Sequence, residues 1–117
     1  MWDAHRDDDL TVSMRNSVVM SFLFTYELAS TLLRRFLQAT MTTRGDAGEM
    51  TFPTLIRVGS EYGMLLHDWV QWFEYRKARN VMSHTYGEER ANDVVAIAPR
   101  FLEDAEFLYK RLMEETQ

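Results

Sequence analysis

The sequence contains no cysteine among its 117 residues. That excludes disulfides, thiolate metal ligands and cysteine nucleophiles together. Of its three histidines, no two lie within one helical turn, so no dedicated metal site and no cofactor are expected. No run of about 18 apolar residues occurs, so no segment is expected to span a membrane. The first residues are acidic and lack an apolar core, which does not fit a signal peptide; the expected location is the cytoplasm. Basic residues are outnumbered, 13 to 18, for a formal charge of −5. That balance argues against broad nucleic-acid binding. It is uneven, however: four aspartates against Arg6 place −3 on the first nine residues. Arg76, Lys77 and Arg79 form a local basic cluster further on.

What the chain does have is apolar material, 46% hydrophobic and 13% aromatic. This suffices for a core in one domain spanning 1–117. Over 12–39 the positions Val18, Val19, Phe22, Tyr26, Ala29, Leu33 and Phe36 recur in steps dominated by three and four, a helical stripe. Asp9 or Thr11 is available as its N-cap. Phe24 and Leu28 fall off the stripe and suggest a second apolar face, toward another subunit. Gly45, Gly48 and small polar residues make 42–52 a loop. Pro53 suits the first turn of a short helix over 54–62, which Gly63 can stop. A further helix is expected over 65–85, with Leu65, Leu66, Trp69, Trp72 and Phe73 on its buried side and Gly87 closing it as a left-handed cap. The last helix, 88–115, keeps its period across Pro99, where a kink is expected. No segment alternates with period two. The chain reads as all-α, an up-and-down helical bundle.

The one dense mixture of reactive polar groups is Arg79-Asn80-Val81-Met82-Ser83-His84-Thr85-Tyr86. It offers a permanent guanidinium, an imidazole that titrates near neutrality and a phenol. Asn80 and His84, four apart, share a helix face. Arg79 and His84, five apart, diverge by about 140°. They converge if Arg79 bends round, if the helix loosens near its end, or if a second copy supplies the missing group. The plainer alternative is a histidine that complements the helix dipole and an arginine paired with Glu74 or Glu88. Glu27 lies about 140° from Phe22, off the core stripe, and is another possible partner of Arg79. His67 reads as a surface or packing residue. Trp69 and Trp72 could stack bases but read better as core.

Arg79-x4-His84-x-Tyr86 resembles the signature of the HEPN superfamily. The wider stretch with Asn80 and Ser83 resembles its nucleotidyltransferase substrate-binding branch, which includes the HepT toxins. A second block, Phe22-Leu23-Phe24-Thr25-Tyr26-Glu27-Leu28-Ala29, is similar to that branch's Phe-x-Phe-Thr-Phe/Tyr-Glu-Leu-Ala pattern. Gly63 ahead of a helix bearing Trp69 fits as well. The likeness covers 21–112. Family members usually carry a further helix before the first block, so a missing, shortened or fused first helix is expected here.

The resemblance implies a HEPN-like helical bundle and a metal-independent endoribonuclease that acts as a homodimer on RNA, not DNA. Arg79 and His84 of both subunits would be the catalytic residues. The 2′-hydroxyl attacks the adjacent phosphorus, leaving a cyclic phosphate and a free 5′-hydroxyl. His84 would move the proton and Arg79 would face the phosphate. Asn80 and Ser83 would hold the ribose or orient His84, with Glu27 in support. The resemblance also implies a minimal nucleotidyltransferase partner, an antitoxin that transfers AMP to Tyr86 and blocks the site with bulk and charge. The alternative function is a non-catalytic subunit that binds nucleotide or substrate for that enzyme.

Overall fold

The computed structural model describes residues 4–40, 50–84 and 87–116, with side chains at 10–40, 50–82 and 87–116. Four helices account for almost all of them: α1 (Ala4–Thr40), α2 (Phe52–Glu61), α3 (Trp69–His84) and α4 (Glu88–Glu115). Among the described residues there is no strand.

Helix α1 is a single rod of 37 residues, about 55 Å long at 1.5 Å per residue. Of the alternatives left open by the sequence, one long helix is what forms. It begins at Ala4, so Asp9 and Thr11 lie inside it and neither is its cap. The expected stripe is buried at Val19, Phe22, Tyr26, Ala29 and Leu33, and Leu37 extends it. Val18 is exposed and Phe36 half-buried. Phe24 and Leu28 point outward, 71% and 46% exposed.

The loop expected over 42–52 falls mostly outside the described residues. Its last part returns to α1, where Arg34 Nη1 donates to the Met50 carbonyl at 2.9 Å. Thr51 takes the extended N-cap conformation before α2 and Pro53 occupies its first turn. Gly59 lets α2 approach α1 closely, because a Cβ there would stand 3.1 Å from Leu33. Gly63 stops the helix as expected, with φ +73°. Its N–H donates to Ser60 O, and the Met64 N–H donates to Gly59 O, both at 3.0 Å. This is the paired hydrogen bonding of a Schellman cap.

Residues 64–68 are not helical, so α3 starts at Trp69 and not at Leu65. The reason lies on α4. Asp104 is buried with 0% exposure; it accepts from the His67 backbone N–H at 3.1 Å, lies 2.8 Å from His67 Nδ1, and accepts a short hydrogen bond from Tyr75 Oη. Holding His67 in this way takes its backbone out of the helix. Asp68 then caps α3, its Oδ1 accepting the Val70 N–H at 3.2 Å. Leu65 and Trp72 are buried as expected and Trp69 is half-buried. Leu66 and Phe73 are not buried, at 46% and 42% exposure.

Gly87 also departs from expectation. Its φ is −144°, an extended conformation, and it is the N-cap of α4. Glu88 and Glu89 fill the first turn of α4, where negative charge is favoured. The helix runs unbroken through Pro99, which faces solvent. Helix α3 runs back along α4, so that Trp72 and Tyr75 meet Phe101 edge-on at ring-centroid distances of 6.0 and 5.0 Å. From α1, Phe22 meets the same ring at 5.0 Å. Phe101 is thus where α1, α3 and α4 share one core.

Removing the Asp104 carboxylate orphans Tyr75 Oη and the His67 N–H, and a buried donor without a partner costs roughly 1–3 kcal/mol. Asp104→Ala is therefore expected to lower the unfolding free energy by more than about 2 kcal/mol, read from urea denaturation. A variant within about 0.5 kcal/mol of the parent, the range usual for exposed sites, contradicts this role for Asp104.

Candidate functional site

The site begins with Arg79, on the side of α3 that faces α1. Its Nη2 stands 2.5 Å from Glu27 Oε1, and its Nη1 donates to Asn80 Oδ1 at 3.1 Å. The sequence allowed Glu27, Glu74 or Glu88 as its acidic partner, and the fold selects Glu27. Glu74 instead stands 3.6 Å from Lys77, and Glu88 stands 3.5 Å from Arg15. The Arg79–Glu27 pair is open to water, its side chains 38% and 56% exposed. Exposed pairs of this kind contribute little to stability, so the contact matters mainly for where it holds the guanidinium.

Beneath it lies Tyr26, which is buried. Burial raises its phenol pKa from 10.0 to about 12, against the opposing pull of the Arg76 and Arg79 charges. Arg76, one turn before Arg79, places its guanidinium carbon 4.9 Å from the centre of the Phe52 ring. Lys77 Nζ lies 5.5 Å from the centre of the Phe73 ring. Cations over ring faces are held by the ring quadrupole. The local basic cluster is therefore real in space, but its members point to different sides of α3. Arg79 addresses α1, Arg76 addresses α2, and Lys77 lies toward the outer rim.

His84 is the last residue of α3. Its side chain, that of Ser83, and all of Thr85 and Tyr86 lie outside the described residues. Of the expected site residues, Arg79, Asn80 and Glu27 are brought together.

Two other features frame the site. A cleft of about 330 Å³ runs between α3 and α4, lined by Glu74, Lys77, Val81, Arg90 and Asp93 among others. It opens on the opposite side of α3 from Arg79 and mixes charges of both signs. The second is the His67–Asp104–Tyr75 cluster. Sequence reasoning passed over it, taking His67 for a surface or packing residue. A signal did exist: Asp104 sits three residues after Phe101 and four before Leu108, a lone acid on the buried stripe of α4. Among the described residues, no group of three or more His, Asp or Glu stands close enough to hold a metal, and no helix is long and apolar enough to cross a membrane.

The fold is a bundle of four helices among the described residues, with Arg79 set against Glu27 of the first; comparison with known proteins names its family. Residues 1–114 match the family described as nucleotidyltransferase substrate binding protein like, and the chain belongs to that family. It is 34% identical, over 99 residues, to the probable ribonuclease HepT of Haemophilus influenzae; the match covers 85% of this chain and 67% of that protein. It is also similar to a solved Haemophilus influenzae structure described as the fold of a substrate binding domain of a nucleotidyltransferase. There the TM-score is 0.79 at 29% identity, covering 94% of this chain and 84% of that one.

The buried phenols dictate an alkaline limit to stability. Tyr26 is raised to about 12 by burial, and Tyr75 is raised by burial and by its hydrogen bond to Asp104. Both stay protonated in the folded chain above about pH 10, where the unfolded chain has released those protons. Their stabilising contribution is complete below about pH 10 and declines as pH rises toward the folded values, by about 1.4 kcal/mol per pH unit per tyrosine. Denaturation at pH 8 and pH 11 is expected to show this loss, with Tyr26→Phe shallower in slope than the parent. Equal slopes in parent and variant would clear Tyr26 of any part in the alkaline loss.

Proposed function

We propose that the chain is a metal-independent endoribonuclease of the toxin kind, acting as a homodimer in the cytoplasm and silenced by a cognate nucleotidyltransferase. The observation that carries this reading is Arg79, a forked cation held in place by Glu27 and Asn80 on the helix that ends at His84. A guanidinium presents paired donors that match two phosphate oxygens. His84 can take the proton from a ribose 2′-hydroxyl, whose oxygen then bonds to phosphorus. The P–O5′ bond breaks, and the leaving 5′-oxygen receives a proton from the second imidazole of a dimer. Arg79 balances the charge that builds on the phosphate. RNA is required because DNA lacks the attacking hydroxyl. Asn80 and Ser83 fit a supporting role, orienting His84 or the ribose. The similarity to a probable ribonuclease supports this reading.

Tyr86, two residues beyond His84, is the proposed AMP acceptor for the partner enzyme. An adduct there adds bulk and negative charge beside the cation that RNA needs. The second reading is a non-catalytic subunit that binds nucleotide or substrate for a nucleotidyltransferase. The description of the solved relative favours it, as does the net charge of −5.

An RNA cleavage assay in chelator separates the two. The parent is expected to cleave, and His84→Ala to lose on the order of 10²–10⁴ in rate. Arg79→Lys keeps the charge but loses the planar fork, so it too should be severely impaired. Tyr86→Phe is expected to keep most cleavage and to resist silencing. If the parent cleaves no RNA yet binds a nucleotidyltransferase through this surface, the second reading replaces the first.

The dimer has its own support. Phe24 and Leu28 are exposed on α1 beside Glu27, an apolar surface next to the site. Sedimentation at tens of micromolar protein is expected to show a dimer, weakened by Phe24→Glu. A stable monomer would exclude the shared site.

A further inference from the structure

Helix α3 carries a strip of rings and cations that runs from its first turn to Asn80; the rings, Arg76 and Lys77 take no part in the proposed chemistry. Trp69, Phe73, Arg76, Lys77 and Asn80 fall within about 100° of one another around the helix axis, over a rise of about 16 Å. The rings are in contact: Phe52 of α2 lies 5.9 Å from Trp69, and Trp69 lies 5.3 Å from Phe73. Cations stand at its two edges, Arg76 over Phe52 at 4.9 Å on the side of α2 and Lys77 over Phe73 at 5.5 Å on the outer rim, where Lys77 Nζ also stands 3.6 Å from Glu74. Phe73 is 42% exposed although the helix offers it a core on the other side. Trp72, its neighbour in sequence, is 1% exposed and fills that core. The strip ends at Asn80, which is hydrogen-bonded to Arg79.

We propose that the Phe52–Trp69–Phe73 ring strip with Arg76 and Lys77 binds single-stranded RNA, stacking bases beside the cleavage site and leading the backbone to Arg79. The proposal rests on the reading of the chain as an RNA-cleaving protein. Three observations favour this ligand. Rings interleaved with cations match a polymer that alternates π-faces with phosphates. The Arg76 edge of the strip adjoins, through Asn80, the cation proposed to face phosphate, Arg79. A protein of net charge −5 needs a local feature to hold a polyanion, and stacking supplies attraction that the overall charge does not. Single strands are selected because the faces of a base in a duplex are covered by its neighbours.

The test uses the full chain with His84→Ala, so that RNA is bound and not cut, and a 5′-fluorescein-labelled RNA of about 12 nucleotides without secondary structure, within the span of such single-strand sites. Fluorescence anisotropy gives Kd. A base stacked on an aromatic side chain contributes about 1–3 kcal/mol, so Phe73→Ala is expected to weaken binding roughly 5- to 150-fold. Phe73→Tyr should restore it, while Phe73→Leu should not. Lys77→Ala should weaken binding and lower the salt dependence, with log Kd against log salt losing about 0.7 in slope. The same RNA annealed to its complement should bind less well. Phe73 lies on the surface, and circular dichroism and thermal melting verify that each variant folds. Parent-like binding by folded Phe73→Ala, or equal binding of duplex, overturns the strip while leaving the ribonuclease reading in place if the unmutated chain cleaves. RNA binding through Phe73 by a chain that never cleaves supports the strip and overturns the ribonuclease. Loss of nucleotidyltransferase binding in Phe73→Ala, with RNA binding unchanged, makes the strip a protein-docking surface and overturns the proposal.

Discussion

A carboxylate with no exposed surface can remain in a helical core only if donors surround it, because burying an uncompensated charge is costly. Asp104 meets this condition with the Tyr75 hydroxyl, the His67 backbone N–H and the His67 ring. The donors come from the segment before α3 and from α3 itself, so one side chain ties both to α4. That tie has several consequences. His67 is drawn out of helical geometry, Asp68 becomes a cap, and α3 starts at Trp69. Once Tyr75 is fixed, the turn of about 100° per residue fixes the direction of every later position on the helix. Arg79 comes one turn later on the side of α1, and Arg76 and Asn80 flank it. The candidate site takes its orientation from a contact well removed from its chemistry.

The core around Phe101 serves the same end by different means. Its ring touches Phe22, Trp72 and Tyr75. These contacts are apolar and tolerant of small rotations, so they bring three helices together without specifying their phase. Hydrogen bonds to Asp104 are directional and supply what packing leaves loose. This division leaves the guanidinium of Arg79 in a defined place on an exposed face. The Arg79–Glu27 pair adds little to stability in water, but it fixes where the guanidinium fork stands.

The distribution of charge matters more than its sum. Of the net −5, the first nine residues carry −3, so the remainder of the chain is close to balanced. Arg76 and Lys77 stand over aromatic rings, and Lys77 and Arg79 also meet the carboxylates of Glu74 and Glu27. A polyanion approaching α3 therefore meets a local field that the overall charge does not describe.

Local patterns in the sequence determined the class and most of the helices. The steps from Val19 to Leu33 name the buried face of α1, because a helix can bury only one stripe against its neighbours. Pro53 and Gly63 mark the ends of α2, because the restriction of one and the freedom of the other act on the backbone where they stand. The Arg79 to Tyr86 motif and the block containing Glu27 marked the family. The angle of Glu27 off the stripe also made it a candidate partner for Arg79. Other matters depended on residues distant in sequence. The start of α3 was set by Asp104, 37 residues from His67, and no local pattern near Leu65 carries that information. Which of Glu27, Glu74 and Glu88 meets Arg79 depended on how α1 and α3 cross. The same crossing put Trp72 inside and left Phe73 outside, though both suited a core. Composition and period act through the nearest few residues, whereas pairing and exposure are properties of surfaces that exist only after the helices have packed.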